Sequence, residues 1–310
     1  MTTAEIEGFL AVCETKSISK AAEKLFISQP SLSTKLKTLE REVGCTLLVR
    51  GKGQRGLELT PEGEEFYLLA CRYQVLVRQM CSVGSRQTER RLRVSSINSV
   101  GTYLMTPVYE RLFQQNGGIV LEVQDMNTVA ACESLARGET DLAFAASDKL
   151  YQNVRHEVAL WEPMLLVCAR GAGYGDGVTT AELDVRKEVY TIWFPQFAVW
   201  RQAVFGKNAA PMVQVEIMNQ MLHFLSRNGG WAIAPASVAW GLAADGALEY
   251  HTLGFRAPRR ATYCLHTADS IQKPDSARFL RCMYESLREL RDRGCPLEIS
   301  EEFFSNYAAE

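Results

Sequence analysis

Residues 17–40, SISKAAEKLFISQPSLSTKLKTLE, decide the fold of the first part of this chain. Apolar residues recur at helical spacing on both sides of the break ISQPS, which predicts two helices joined by a short turn. Ser19 is the expected N-cap of the first helix, and Ser28 caps the second, whose first turn tolerates Pro30. The second helix is expected to end at Gly44. Its apolar stripe consists of Leu32, Leu36, Leu39 and Val43. With the amphipathic helix that precedes them, these elements form a predicted helix-turn-helix.

The face of the second helix opposite the stripe carries small or polar side chains, which fit a DNA major groove. Gln29 stands at the helix entry, where helix-turn-helix proteins place their first base contact, and a glutamine can bind adenine bidentately. The candidate DNA-contacting residues of the turn and helix are Ser28, Gln29, Pro30, Ser31, Ser33, Thr34, Lys35 and Lys37. The alternative is a plain three-helix subdomain with a solvated polar face.

A hairpin is predicted after this helix, because the strand-like pieces TLLVR and LELT flank the glycine-rich loop GKGQRG. Arg50, Lys52 and Arg55 lie in the hairpin, which would act as a wing against the backbone phosphates of DNA. Residues 1–60 are therefore predicted to form a winged helix-turn-helix that binds double-stranded DNA.

A long helix is predicted to begin at Thr60-Pro61. Its apolar positions have near-heptad spacing, which suits pairing with a second copy of the helix. These positions are Phe66, Leu69, Tyr73, Leu76 and Met80. Gly84 and the polar run that follows indicate a hinge, so residues 61–90 are predicted to form a dimerisation helix and linker.

Composition limits the class of protein. The chain has 310 residues, of which 47% are hydrophobic and 23% charged, and its net charge is −2. These values predict a folded, soluble protein of two or three units. No apolar segment is long enough to cross a bilayer, and Glu5 and Glu7 stand where a signal peptide would be basic and then apolar, so we expect a cytoplasmic protein. The nine scattered cysteines contain no C-x-x-C pair, so we expect reduced, mostly buried thiols rather than a disulfide framework or a zinc site, and no metal ligands.

After Arg91, strand-like runs alternate with helical segments. The strand-like runs include LRVSSI, IVLEVQ, DLAFAA, MLLVCA and WAIAP. Such alternation predicts α/β architecture with a parallel sheet and right-handed crossovers. The loop GAGYGDG, residues 171–177, lacks the glycine spacing of a dinucleotide fingerprint and is expected to be surface.

The N-terminal block strongly resembles the DNA-binding domain of LysR-type transcriptional regulators. The motifs that carry the resemblance are S-x-x-x-A-A-x-x-L, S-Q-P-S-L-S, L-E-x-E-x-G and L-T-P-E-G, and it continues through ESLARGETDLAF, EPMLLV and GGWAIAP. The chain departs from the common pattern at Thr34, where the family often has arginine, and at Leu48-Val49, where it often has an arginine-phenylalanine pair. The first departure weakens any transfer of base preference, and the second affects wing packing.

The resemblance implies that residues 91–310 form a two-lobed regulatory domain built like a periplasmic binding protein. We expect lobe I at 91–162 and 266–310, lobe II at 168–263, and crossover strands near 161–168 and 263–268. It also implies a dimer or tetramer, a promoter operator as DNA partner, a small-molecule effector and no cofactor or enzymatic activity.

Effectors of such folds bind in the crevice where strands end and helices begin. The resemblance assigns Ser99 and Thr128 to effector binding, and the effector is expected to be anionic or strongly polar. The full candidate set is Ile97, Asn98, Ser99, Thr128, Trp193, Phe194, Pro195, Gln196, Phe197 and Asn219. The polar members have an alternative role as helix N-caps, and the aromatic members have one as core residues.

Two rival interpretations remain. The first is a redox-sensing regulator of the same family, which would use cysteines such as Cys168 and Cys264. The second is an enzyme on a two-lobed α/β scaffold fused to a DNA-binding module. The sequence argues against the enzyme, because its four histidines form no H-E-x-x-H motif and it has neither a G-x-S-x-G elbow nor a P-loop.

Overall fold

The computed structural model describes residues 1–50, 57–82, 90–115, 118–227 and 229–307. These residues form two compact units. One contains the helices before residue 83, and the other is built on the strands that start at Arg90.

The first unit is a cluster of three helices followed by a two-stranded hairpin and a long helix. The hairpin strands are antiparallel, with Leu48 opposite Leu59. This order confirms the predicted winged helix-turn-helix. The elements are α1 (Thr3–Thr15), α2 (Ile18–Lys24), α3 (Gln29–Val43), β1 (Leu48–Arg50), β2 (Leu57–Leu59) and α4 (Pro61–Ser82).

Side-chain caps fix where the helices of the first unit begin. The Ser28 hydroxyl accepts a hydrogen bond from the backbone N–H of Ser31 at 3.3 Å, as expected for the start of α3. The prediction that Ser19 caps α2 was wrong. The helix already includes Ile18, and the Ser17 hydroxyl accepts from the Lys20 N–H at 3.4 Å. Only Ser17 has the extended backbone that an N-cap requires.

Two residues of the quoted motifs hold the hairpin against the helices. Glu40, in the L-E-x-E-x-G motif, accepts hydrogen bonds from the N–H groups of Leu47 and Leu48 at 2.8 and 3.2 Å. Gly63, in the L-T-P-E-G motif, passes so close to the hairpin that a Cβ there would lie 2.1 Å from the Leu47 carbonyl oxygen. Each of these motifs therefore contains a residue that positions the hairpin, a role that does not involve DNA.

The core of the first unit lies between α1, α3 and the start of α4. Leu32, Leu36 and Leu39 of α3 are buried, as the stripe predicts, whereas Val43, its fourth predicted member, is exposed at the end of the helix. The ring of Phe9 in α1 meets the ring of Phe66 in α4 edge to face, with 5.1 Å between centroids.

The second unit contains eleven described strands in three groups. The largest group is a six-stranded sheet in the order β13-β6-β12-β5-β3-β4, and the others are β10-β7-β11 and the pair β8-β9. The strands are β3 (Arg90–Ser96), β4 (Ile119–Asp125), β5 (Leu142–Ala145), β6 (Arg155–Glu162), β7 (Met164–Ala169), β8 (Val189–Tyr190), β9 (Val213–Gln214), β10 (Trp231–Pro235), β11 (Leu248–His251), β12 (Arg260–His266) and β13 (Glu298–Ile299).

Helices cover these sheets and connect their strands. Between strands β3 and β4, the backbone is helical from Asn98 to Gln114. Residues Gly101–Met105 form a π-helical turn within this segment. The α-helices are α5 (Asn98–Val100), α6 (Thr106–Gln114), α7 (Thr128–Ala136), α8 (Pro195–Phe205), α9 (Met218–Arg227), α10 (Ala236–Leu242), α11 (Ala268–Ile271), α12 (Pro274–Asp292) and α13 (Glu301–Phe304).

The sheets are mixed, whereas alternation alone predicts parallel ones. Strand β3 is parallel to β4 and β5, and β8 is parallel to β9. However, β12 is antiparallel to both β5 and β6, and β7 is antiparallel to β10 and β11. The antiparallel strands include those next to the points where the chain passes between the two sheets, and local periodicity does not report strand direction.

The passage between sheets divides this unit into the two lobes. Pro163 separates β6 of the large sheet from β7 of the small one, within the predicted first crossover. The second passage, from the small sheet back to the large one, lies elsewhere than expected. Residues 260–263, which we assigned to lobe II, already pair with β6 in the large sheet. The second passage therefore lies between His251 and Arg260. The apolar run ATYCL fits either sheet equally well, which is why the sequence misplaces this boundary.

No helix within the described ranges is both long enough and apolar enough to span a membrane.

Candidate functional site

Helix α3 separates its residues into a buried stripe and a polar outer face. The outer face is exposed at Ser28, Gln29, Pro30, Ser31, Thr34 and Lys37, and half-buried at Ser33 and Lys35. The structure thus brings the predicted DNA contacts of the turn and helix onto one surface. Small side chains at its start would allow close approach to a groove.

Two hydrogen bonds order this face. The Ser19 hydroxyl donates to Oε1 of Gln29 at 3.0 Å, so α2 holds the Gln29 amide in place. The Thr34 hydroxyl donates to the Pro30 carbonyl oxygen at 3.0 Å. A carboxamide oxygen has two lone pairs, so Gln29 keeps one acceptor site and both N–H donors for a base edge. The coupling of Ser19 to Gln29 was not evident from the sequence.

The wing is described only in part. Strand β1 ends at Arg50, whereas Lys52 and Arg55 lie outside the described residues.

Helix α4 divides its five near-heptad residues between two environments. Phe66 and Tyr73 are half-buried against the first unit, and the Tyr73 hydroxyl lies 2.9 Å from the Thr3 hydroxyl. Leu69, Leu76 and Met80 have 55%, 55% and 63% of their surface exposed. The helix therefore presents an apolar face of three side chains that the described residues do not cover.

In the second unit, Ser99 belongs to a buried cluster that joins both lobes. Its hydroxyl accepts a hydrogen bond from Nη1 of Arg260 at 3.0 Å. Arg260 pairs with Glu162, its direct cross-strand neighbour, with 2.9 Å from Nε and 2.6 Å from Nη2 to Oε2. Nη2 also donates to the Ser237 hydroxyl at 3.1 Å.

This cluster is closed to water and contains several hydrogen bonds. Arg260 and Glu162 are both 0% exposed. The backbone N–H of Ser237, at the start of α10, donates to Oε1 of Glu162 at 2.8 Å. The sequence did not reveal the cluster, because its members come from distant positions with no shared motif. The available signal was weak: Glu162 follows the apolar run VALW, and Arg260 precedes the run ATYCL.

Asn98 links the two lobes beside Ser99. Its Nδ2 donates to Asp125 at 3.1 Å, and its Oδ1 accepts from the backbone N–H of Met218, the first residue of α9, at 3.2 Å. Ile97 is half-buried next to it, whereas Asn219 is exposed.

Thr128 is free of the capping role that we considered for it. Asn127 caps α7, since its Oδ1 accepts from the Ala130 N–H at 3.0 Å. Thr128 is the first residue of the helix and is half-buried. Ser99 likewise uses its hydroxyl oxygen for Arg260 rather than for a helix end.

The aromatic residues of 193–197 lie in the hydrophobic core of lobe II. Trp193, Phe194 and Phe197 are at most 6% exposed, and Nε1 of Trp193 donates to the Ile233 carbonyl oxygen at 2.7 Å. Pro195 and Gln196 are exposed at the start of α8. Of the two roles considered for the aromatic side chains, this burial favours core packing.

The cysteines of the redox alternative lie on different sheets, Cys168 on β7 and Cys264 on β12. Burial raises the pKa of the Cys168 thiol to about 11 and raises that of Cys264 well above its usual value. Redox-sensing cysteines are accessible and have lowered pKa values. Neither residue has this character.

Known protein families match both units of the chain. The family model "Bacterial regulatory helix-turn-helix protein, lysR family" matches residues 4–64, and "LysR substrate binding domain" matches residues 85–288. The regulator BenM of Acinetobacter baylyi is 35% identical over 146 residues, which cover 46% of this chain and 47% of BenM. HcaR of Escherichia coli K12, an operon transcriptional activator, is 28% identical over 188 residues, 59% of this chain and 63% of HcaR. The chain spans about half the length of the first curated relatives it matches.

Solved structures share the fold. LysG of Corynebacterium glutamicum with bound effector Arg superposes with a TM-score of 0.62 at 18% identity, covering 93% of this chain and 99% of that one. ArgP of Mycobacterium tuberculosis gives 0.60 at 20% identity, with 91% and 96% covered.

Proposed function

The chain belongs to the LysR family of bacterial regulators, and from this we propose that it is a DNA-binding transcriptional regulator controlled by a small-molecule effector. The observation that carries the proposal is the division of α3 into a buried stripe and an exposed polar face beside a hairpin. A two-lobed second unit with a polar cluster between its lobes supplies the sensor.

We propose that α3 enters the major groove and that Gln29 contacts a base. The bond from Ser19 holds its amide in one orientation before DNA arrives, which reduces the entropy lost on binding. Ser28, Ser31 and Thr34 would lie against base edges or phosphates, with Lys35 and Lys37 on the phosphate backbone. The wing residues Arg50, Lys52 and Arg55 are assigned to phosphate contacts.

Replacing Gln29 by alanine should weaken binding to the operator by about 1–3 kcal/mol and relax specificity at one base pair. The operator is first selected from random duplexes. Fluorescence anisotropy at fixed salt then compares it with a set of single-base variants.

Two further variants make the Gln29 result specific. Arg50→Ala should weaken binding to every sequence and lower the salt slope by about one, because it removes one phosphate contact. Glu7→Ala, at an exposed position of α1, should bind like the parent. If Gln29→Ala kept both the parent affinity and its base preference, α3 would not be the reading helix.

We propose that the effector binds between the lobes and contacts Ser99 and Thr128. Arg260 donates to the Ser99 oxygen, so the Ser99 hydroxyl proton remains for another acceptor. Thr128 offers a second hydroxyl at the start of α7, where the helix dipole favours negative charge. An effector with acceptor oxygens, such as a carboxylate, suits both groups. Asn98, Ile97 and the exposed Gln196 and Asn219 would border this site.

Thr128→Val retains the side-chain volume but removes the hydroxyl, so an effector carboxylate should lose about 1.5–3 kcal/mol of binding free energy. A thermal-shift screen of metabolites identifies the effector, and calorimetry measures its affinity. Ser99→Ala should also weaken binding, whereas Thr106→Val on the exposed side of α6 should not. Unchanged affinity in both Thr128→Val and Ser99→Ala would place the site elsewhere.

We propose that the protein acts in the cytoplasm, without a cofactor and without enzymatic activity. His223 and Ser226 both lie on α9, but this pair does not support nucleophilic catalysis. The Ser226 hydroxyl donates to the Leu222 carbonyl oxygen at 2.6 Å instead of to His223. The redox alternative is less well supported, because burial raises the thiol pKa of Cys168 and Cys264 and so disfavours the thiolate that reacts with an oxidant.

A further inference from the structure

Strands β7 and β11 place three metal-binding residue types on one face of lobe II. Cys168 and Glu249 are direct partners in the antiparallel ladder, and His251 lies two residues further along β11. Direct and diagonal neighbours of this kind project to the same side of a sheet. The arrangement was not visible in the sequence, because Cys168 is 81 residues from Glu249.

The ligand atoms of this cluster already converge. The thiol of Cys168, a carboxylate oxygen of Glu249 and a ring nitrogen of His251 all lie within 4.8 Å of one another. Nε2 of His251 is 3.5 Å from Oε1 of Glu249. Zinc–ligand bonds of 2.0–2.3 Å at tetrahedral angles put neighbouring ligand atoms roughly 3.3–3.7 Å apart. The histidine and carboxylate already have this spacing, and the sulfur lies within 4.8 Å of both.

His251 carries an unsatisfied polar atom in this cluster. Its Nε2 is enclosed and makes no hydrogen bond to the residues that the structure describes, although Oε1 of Glu249 lies 3.5 Å away. A buried polar atom without a hydrogen bond is destabilising, so such an atom calls for an explanation. A metal bond from Nε2 would supply one.

The loop GAGYGDG, which has no role in the proposed regulatory function, is hydrogen-bonded at both ends to residues in or next to the cluster. Oε1 of Glu249 accepts from the Gly171 N–H at 3.0 Å, and Asp176 accepts from the Thr252 N–H at 2.8 Å. Gly171 has a φ of 78°, which only glycine adopts without strain. One end of the loop is therefore bonded to Glu249 of β11, and the other to Thr252, the residue that follows this strand.

We propose that Cys168, Glu249 and His251 form a binding site for a divalent metal ion of the zinc class. The set of one sulfur, one nitrogen and one oxygen suits Zn²⁺ and its neighbours, whereas Mg²⁺ and Ca²⁺ require oxygen ligands. The Cys168 thiol releases its proton to solvent when the ion binds, and three protein ligands leave a fourth position for water. The side chains of Glu249 and His251 are 27% and 16% exposed, so an ion reaches the buried sulfur from their side.

A bound ion would connect β7 and β11 through three side chains and would fix the loop by way of Glu249. It would raise the stability of lobe II without touching the cluster around Arg260. The site is thus independent of the proposed effector site.

Cobalt is the probe for the first experiment, because a cobalt–thiolate bond gives a near-ultraviolet charge-transfer band and tetrahedral Co²⁺ gives visible absorption. The reduced full-length protein is titrated with Co²⁺ and then with Zn²⁺ as competitor. We expect one tight equivalent with a thiolate band, which Zn²⁺ abolishes. Cys168→Ser should remove the band. His251→Gln and Glu249→Gln should each lower Co²⁺ affinity at least about tenfold, the smallest loss seen even for residues outside the ligand shell.

Matched controls separate this site from the other thiols and imidazoles. Cys81→Ser, at an exposed cysteine, and His223→Gln, at an exposed histidine, should bind Co²⁺ like the parent. Zn²⁺ should raise the melting temperature of the parent and of both controls, but not that of His251→Gln. Glu249 is partly exposed, so Glu249→Gln keeps the test valid if the Cys168 variant folds poorly. A parent without a thiolate band, or a band that survives in both Cys168→Ser and His251→Gln, would overturn the proposal.

Discussion

Replacing Arg260 by methionine should lower the free energy of unfolding of the second unit by about 3–5 kcal/mol, because it leaves Glu162 buried and uncompensated. Both side chains are 0% exposed, so water cannot replace the lost partner. The same change removes the donors to Ser99 and Ser237. All five tryptophans of the chain lie between residues 161 and 240, so fluorescence-monitored urea unfolding reports this unit alone.

The neighbouring residue provides a control for this prediction. Arg259 pairs with Glu298 at the surface, where its side chain is 49% exposed, and Arg259→Met should change stability by less than about 1 kcal/mol. The double variant with Glu162→Met should recover part of the loss, since an apolar pair often replaces a buried ion pair without cost. An Arg260→Met protein with the parent midpoint would show that the buried pair does not form.

Replacing Leu76 by aspartate should dissociate the dimer that we propose for α4, raising its dissociation constant by at least about 100-fold, or 2.7 kcal/mol. In a two-fold symmetric contact each residue enters twice, so the change brings two carboxylates into one apolar seam. Leu69, Leu76 and Met80 are the exposed residues that need such a partner. Sedimentation velocity should show monomers, and operator binding should fall with the loss of the second reading helix.

Arg78→Asp tests whether the position or the added charge is responsible. Two residues along a helix correspond to a rotation of about 200°, so Arg78 lies on the side of α4 opposite Leu76. This variant carries the same new aspartate and should remain associated. A Leu76→Asp protein that sediments like the parent would remove α4 from the dimer contact.

The first unit was largely predictable because its signals are local. The stripe of Leu32, Leu36 and Leu39, the cap at Ser28 and the stop at Gly44 lie within one helix length, and the structure contains each of them. The wrong cap at Ser19 was an error of two residues. What the sequence missed here is the bond from Ser19 to Gln29, which depends on how two helices pack.

The second unit was predictable in its elements but not in their arrangement. Strand positions follow from apolar runs, whereas strand direction and the lobe boundary near Arg260 depend on pairing between distant segments. The candidate site shows the same limit. Ser99 was named from the family resemblance, yet its partner Arg260 is 161 residues away and has no motif. The local sequence of residues 193–197 cannot show whether their aromatic side chains line a crevice or fill a core.

The bond between Asn98 and the start of α9 gives the proposed sensor a concentration threshold. It is a hydrogen bond from one lobe to the other, and separating the lobes at this point breaks it. One such bond contributes about 0.5–1.5 kcal/mol, which corresponds to roughly a two- to thirteen-fold loss of apparent affinity for a ligand that holds the lobes apart when bound. A ligand small enough to leave the bond intact in the bound state has no such penalty. The Asn98 bond would therefore give smaller ligands the higher apparent affinity. Among molecules with the same charged group, the smaller ones would trigger the response at lower concentrations.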